Sequence, residues 1–260
     1  MRIITFEGGL GSQMIPFLEM KYLDSEKMPY ELNLEYFESA LPVNEKRRPW
    51  ALSHYGIELA NLKSRPSSFG QVWRKNFVFE DEIFWEFVKE SGSSLFPVLK
   101  QSTHSELIKI GASPEIPYSA IHIRRGDYLQ LASKLVSNEE IVQFAKKMIS
   151  VLDDQILLVS DSNIDRELFL QISQLCDSNN RRLFLLDDNS IPDVKVHEIL
   201  RSANTLLCSN STFSFTAALL AETGAKAFAP LSFYDPFSWG GASEILNSRY
   251  RKSGDFFLIK

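Results

Sequence analysis

The segment His122-Ile123-Arg124-Arg125-Gly126-Asp127-Tyr128 concentrates more chemistry than any other part of the chain. Its two adjacent arginines follow a short apolar run, Ala120–Ile123, and charges leaving a buried strand are costly unless anions meet them. A guanidinium offers a rigid fork of donors that matches phosphate oxygens. Gly126 allows a sharp backbone turn, and Asp127 stands where it can hold one arginine. The plainer reading is a surface turn carrying an Arg–Asp pair of little energetic weight.

Two further segments point the same way. Ser209-Asn210-Ser211-Thr212-Phe213-Ser214 follows a strand pattern and opens a helical one. A helix N-terminus presents unbonded N–H groups and the positive end of the dipole, so it suits an anion. Simple capping by Ser211 or Thr212 explains the same residues. Gly8-Gly9-Leu10-Gly11-Ser12-Gln13 follows the strand pattern Arg2–Phe6, and its glycines permit close approach of a ligand to the backbone. It is neither a Walker loop nor a GxGxxG fingerprint, and a tight strand–helix turn accounts for it equally well.

Other chemistries find less support. His54, His104, His122 and His197 lack metal-ligand spacing, and Cys176 and Cys208 form no CxxC pair. The acidic pairs Asp153-Asp154 and Asp187-Asp188 read as solvated loop residues, and no GxSxG elbow is present.

The elements that must position these residues change character near residue 112. Before it, aromatics and charges mix irregularly, and Ile83, Phe84, Phe87 and Val88 form a short helical stripe. Ile110–Pro117, with Gly111, Pro114 and Pro117, reads as a connection between two lobes, 1–112 and 113–260. Beyond it the pattern predicts alternation. Strands fall at 120–123, 156–159, 183–186, 205–208 and 226–229, and helices at about 137–151, 165–176, 194–203 and 212–222. Ser137 with Glu140 forms a capping-box signature. Such alternation implies an α/β fold with a parallel sheet, whose ligands bind beyond the carboxyl ends of the strands. Those ends are His122–Asp127, Ser160-Asp161, Asp187-Asp188 and Ser209–Thr212, all polar.

The whole composition sets limits. The chain has 260 residues, a net charge of −5, 44% hydrophobic and 23% charged residues, which excludes global disorder and disfavours a general nucleic-acid binder. Two cysteines make no disulfide scaffold, so the chain reads as reduced and cytoplasmic. Nothing resembles a signal peptide or membrane span, which leaves a peripheral contact at the inner membrane face as the closest membrane association.

Taken together, Gly-Gly-Leu-Gly-x-Gln, His-x-Arg-Arg-Gly-Asp-Tyr and Asn-Ser-Thr-Phe-Ser in this order resemble the α-1,2-fucosyltransferases of glycosyltransferase family 11. Glu31–Leu34 with Phe37, Ser160-Asp161 and the last third of the chain are also similar to that family. The resemblance implies a GT-B architecture, two Rossmann-like lobes facing across a cleft, with the last helix returning to the N-terminal lobe. It implies GDP-fucose as donor, a glycan acceptor such as a β-galactoside of a surface or lipid-linked oligosaccharide (an O-antigen, for instance), inversion, and neither metal nor cofactor. Carried over, Arg124 contacts the diphosphate while Arg125 and Asp127 support the loop. His122, Ser160, Asp161, Asn210, Ser211, Thr212 and Phe213 line the nucleotide site, and Gly9, Gly11 and Gln13 close it from the other lobe. From its place at the end of the first strand, beside the glycine loop, Glu7 is the candidate for the base; the plainer reading is a solvated strand-end residue, with the proton lost to water or phosphate and no dedicated base. The chain departs from the family at Glu7, Ser12, Ile15-Pro16 and Phe215-Thr216, the last standing where a tryptophan pair is usual. These departures motivate an alternative, a catalytically weakened relative that holds GDP or a GDP-sugar. A metal-dependent transferase using Asp187-Asp188 is a third reading.

Overall fold

The computed structural model describes residues 2–38, 48–65, 82–98, 100–130, 135–186, 191–222, 224–230, 251–253 and 256–259. The chain divides into two compact units, Met1–Pro97 and Val98–Lys260. The boundary therefore falls before the expected residue 112. Helix α4 (Lys100–Lys109) belongs to the second unit, where it packs on α7 (Asp193–Arg201) and Lys195 donates to Glu106 at 3.1 Å. Segment 110–117 connects α4 to a strand within one unit, and does not join two.

In the first unit, β1 (Arg2–Thr5) leads into α1 (Leu10–Ser25) and returns to β2 (Tyr30–Asn33), parallel to β1 with Ile4 opposite Leu32. Arg2 reaches Glu19 at 2.5 Å and ties β1 to α1. A short helix α2 (Glu35–Glu38) follows, and α3 (Glu82–Leu95) packs on α1, with Tyr22 and Phe84 ring centres 5.5 Å apart. Of the anticipated stripe, Phe84 and Val88 are buried, an i, i+4 pair, whereas Ile83 is exposed. One residue of helical rotation turns Ile83 away from α1.

The second unit is a doubly wound sheet. β3 (Tyr118–Ile123), β4 (Gln155–Ser160), β5 (Arg182–Leu186), β6 (Thr205–Leu207) and β7 (Lys226–Pro230) lie in the order β5-β4-β3-β6-β7, all parallel. β3 and β4 are buried at every position, which explains the continuous apolar run Ile156–Val159 of β4, while β3 carries buried Ser119 and His122 among its apolar residues. The chain winds outward from β3 to β5, and α7 carries it back to β6, so the switch point lies between β3 and β6. Helices α5 (Asn138–Met148) and α6 (Arg166–Ser178) pack together, as do α4, α7 and α8 (Thr212–Leu219), as winding in two directions requires. Ser137 and Glu140 form the expected capping box.

Two expectations differ at the end of the chain. α8 stops at Leu219 and does not run on to Glu222. The last described element is a strand and not a helix: β9 (Phe256–Ile259) joins β7 antiparallel and β8 (Arg251–Ser253) flanks it. The run Phe256-Phe257-Leu258-Ile259 has strong β propensity and no helical spacing. Among the described residues no helix is long and apolar enough to cross a membrane.

Candidate functional site

The switch point brings two of the three motifs into contact. β3 ends at His122-Ile123, beside the β6–α8 turn, and His122 Nδ1 lies 2.8 Å from Ser209 Oγ. Ser209 Oγ in turn lies 3.2 Å from Ser214 Oγ on α8. The Phe213 ring packs against the imidazole, with centres 5.6 Å apart and planes 34° from one another. Burial, and then the nearby charge of Arg124, push His122 down to about 3. The ring is therefore neutral at ordinary pH, and it is a positioning group with little capacity as a base.

The two arginines separate in role. Arg124 Nη1 meets Asp161 Oδ2 at 2.5 Å, and its guanidinium stands 5.2 Å from the centre of the Tyr128 ring. Asp161 Oδ1 also accepts the Arg125 backbone N–H at 2.7 Å, so one carboxylate at the end of β4 braces the whole turn after β3. Gly126 has φ +21°, and a β-carbon there would sit 2.3 Å from Asp161 Oδ2. The close approach of that carboxylate is what requires glycine. Sequence reasoning assigned the bracing to Asp127. That residue lies in the helical turn Gly126–Gln130, and its side chain is outside the described residues. Arg125 is buried, donating to the Val136 carbonyl and, at 2.6 Å, to Asn138 Oδ1. It is a strut from the β3 turn to the start of α5.

The remaining nucleotide-site candidates sort similarly. Ser160 is buried, and its hydroxyl accepts from Ser162 N–H at 3.4 Å. Ser211 is the N-cap of α8 and accepts from Phe213 N–H at 3.2 Å, so capping is realised there. That cap takes up one of the N–H groups of the helix's first turn. Asn210 is buried beside it, and Thr212 and Phe213 are partly exposed.

The glycine motif lies in the first unit. Gly9 caps α1 and Gly11 is buried within it. Gln13 is also buried, with Nε2 donating to Gly8 O at 2.8 Å and Pro49 O at 2.9 Å while Oε1 accepts from Ala51 N–H at 2.8 Å. Both its N–H groups and its carbonyl are committed. Gln13 pins the glycine turn to residues 49–51, and the expectation of a ligand contact is corrected. Glu7 is exposed just after β1.

Sequence reasoning passed over one residue. His197 on α7 is fully buried, 3.0 Å from Thr216 Oγ1 through Nε2 and with its ring centre 5.1 Å from that of Phe213. The available signal was a histidine one turn after Val194 on the buried face of α7.

Asp187-Asp188 lies outside the described residues, and among those described no group of three or more His, Cys, Asp or Glu is placed to hold a metal. Cavities of about 460 Å³ against Phe17, Tyr30 and Arg65, and about 450 Å³ against Thr103, Tyr118 and Asn204, lie away from these motifs. The second opens at the amino ends of β3 and β6, opposite the edge that carries the arginines.

An α/β unit with a doubly wound sheet, a braced arginine and a helix N-terminus at its switch point has the chemical means to hold a diphosphate. No family model matches the chain, and no curated protein sequence matches it. Solved structures do show a likeness. POFUT1 in complex with GDP-fucose aligns at 12% identity and TM-score 0.39, over 56% of this chain and 49% of that one. POFUT1 in complex with GDP aligns at 15% identity and TM-score 0.39, over 77% and 63%, and a second crystal form with GDP-fucose at 12% and 0.39, over 84% and 69%. In the first of these the chain spans about half the length of the protein it matches.

Proposed function

We propose that this chain is an inverting glycosyltransferase of GT-B type. It transfers L-fucose from GDP-fucose to a sugar hydroxyl, the 2-OH of a β-galactoside in a surface or lipid-linked glycan, in the cytoplasm or at the inner membrane face. The observation that carries the reading is the meeting of the two motifs at the switch point, through His122 and Ser209 at 2.8 Å. In the proposed reaction Arg124, oriented by Asp161, and the first turn of α8 stabilise the departing GDP diphosphate, so charge developing on the leaving group meets fixed donors. Such donors substitute for a cation, which supports metal-independent transfer. Glu7 is proposed to take the proton of the acceptor hydroxyl, with Asp127 supporting the arginine turn.

The weakened-relative alternative is motivated by Ser12 and by Phe215-Thr216, the latter two buried in α8. The test is incubation with GDP-fucose, a galactoside panel and EDTA. Release of GDP with a fucosylated product is expected, and absence of both transfer and donor hydrolysis overturns the proposal. Calorimetric binding of GDP without turnover selects the alternative. Glu7→Gln with unchanged turnover and pH profile removes Glu7 from the mechanism.

A further inference from the structure

We propose that His197 is a positioning residue for the nucleotide site, fixing the first turn of α8 by donating its Nε2–H to Thr216 and bracing the Phe213 ring edge-on. The inference rests on the donor reading above and extends it to a residue that no ligand touches, since His197 is fully buried.

The hydrogen-bond inventory points to one tautomer. Thr216 Oγ1 lies 2.8 Å from the carbonyl of Thr212 and 3.1 Å from that of Phe213. A hydroxyl has one hydrogen, and those two carbonyls take it. Toward His197, 3.0 Å away, Oγ1 is therefore the acceptor, and Nε2 carries the proton. Nδ1 is left bare, buried and without a hydrogen-bond partner among the described residues. A leucine would fill this space and leave no polar atom unsatisfied. What the imidazole adds is a donor to Thr216 and a flat edge against Phe213.

Both additions act on the start of α8. The Thr216 hydroxyl gathers the carbonyls of Thr212 and Phe213, the two residues that open the helix. The Phe213 ring is held between His197, at 5.1 Å and 76°, and His122, at 5.6 Å and 34°. His122 is bonded to Ser209. One continuous chain of contacts thus runs from α7 through the opening of α8 to the end of β3. It also gives Thr216 a purpose: this departure from the family's tryptophan pair supplies the hydroxyl that His197 needs.

The test compares His197→Leu, His197→Gln, Thr216→Val and the Leu/Val double variant, with GDP as the calorimetric probe and thermal melting as a check of folding. ¹⁵N-imidazole spectra of the wild type at neutral pH are expected to show Nε2 protonated and Nδ1 bare. His197→Leu and Thr216→Val are each expected to weaken GDP binding about tenfold, and the double variant no further, because both break one link. His197→Gln restores a donor near Nε2 and is expected to bind within about threefold of wild type. Folded single variants that bind GDP as tightly as wild type, additive losses in the double variant, or a ring protonated at Nδ1 each overturn the proposal. Wild-type protein that takes up no GDP overturns the donor reading and, with it, this role of His197. Wild-type binding with indifferent variants overturns the role of His197 alone.

Discussion

Asp161, at the end of β4, holds Arg124 at 2.5 Å from the neighbouring strand, and its second oxygen holds the Arg125 backbone N–H at 2.7 Å. One acid thereby fixes both the direction of the guanidinium and the turn that carries it. The guanidinium has five N–H groups, more than one carboxylate can take up.

If Arg124 serves the leaving group, its interaction strengthens as charge develops. Arg124→Ala should lower kcat by about 10²–10³-fold, or about 3–4 kcal/mol, with a smaller effect on GDP affinity. Arg124→Lys should rescue little, because an ammonium lacks the fork. Steady-state kinetics with GDP-fucose check this, and near-normal turnover in a folded Arg124→Ala protein removes Arg124 from the diphosphate site.

Gly126 tests the bracing from the backbone side. A methyl group at 126 would meet Asp161 Oδ2 at 2.3 Å, and the carboxylate would have to leave both its partners. Gly126→Ala should cost about 1–3 kcal/mol in chemical unfolding. It should also lower activity in the manner of Asp161→Ala. Unchanged stability would show that Asp161 moves aside freely.

How legible these relationships were follows from their distance along the chain. The alternation of apolar runs and helical spacing gave the parallel strands of the second unit within one or two residues, most plainly for β4, which is buried at every position, whereas the edge strand β5 is buried only at Leu186. The polar strand ends were visible for the same reason. The part of Asp161 was not: it arrives from the adjacent strand, and local spacing shows only Asp127, three residues away, whose side chain lies outside the described residues. Gln13 misled in a similar way. A polar side chain beside a glycine turn suggested a ligand, yet its amide is consumed by Gly8, Pro49 and Ala51. The unit boundary was misplaced because the prolines and Gly111 of segment 110–117 mark a turn, and a turn inside a unit carries the same residues as a linker.

The glycines of the first motif divide by cause. Gly8 has φ +71°, and an added β-carbon would lie 3.1 Å from Ser12 Cβ, so Gly8→Ala should destabilise by about 1 kcal/mol or more. An added β-carbon at Gly9 meets nothing within 4 Å, so the fold itself makes no demand there. Gly9→Ala should leave the melting temperature within a degree or two. If a substrate approaches this backbone, Gly9→Ala lowers activity while stability holds. Full activity in Gly9→Ala would dissociate the glycine from the reaction.

Gln13→Glu replaces an amide that donates to two carbonyls by a carboxylate that must face them. The Gly8 and Pro49 oxygens would repel a buried charge, and the loss should reach about 2–4 kcal/mol. Urea unfolding checks the cost, and Gln13→Met, which keeps the volume without the charge, should lose less. A Gln13→Glu protein as stable as wild type would mean that the pin to residues 49–51 is dispensable.

The two buried histidines make stability depend on pH with a definite sign. Burial, then the charge of Arg124, hold His122 at about 3; burial, then Arg201 and His122, hold His197 well below its ordinary value. In the unfolded chain both titrate near 6.5. Above that value both states are neutral there, and the native contribution is complete. As the pH falls below about 6.5 the unfolded chain binds protons that the native fold refuses, so stability declines toward acid. Each histidine contributes a slope of up to about 1.4 kcal/mol per pH unit until its own folded value is reached. His122→Asn keeps a polar partner for Ser209 but cannot be protonated. Its unfolding free energy, followed from pH 7 to pH 5, should fall less steeply than that of wild type by one histidine's share. Parallel curves for the two proteins would mean that His122 takes up its proton in the folded state as easily as in water, and that the contact with Ser209 does not require a neutral ring.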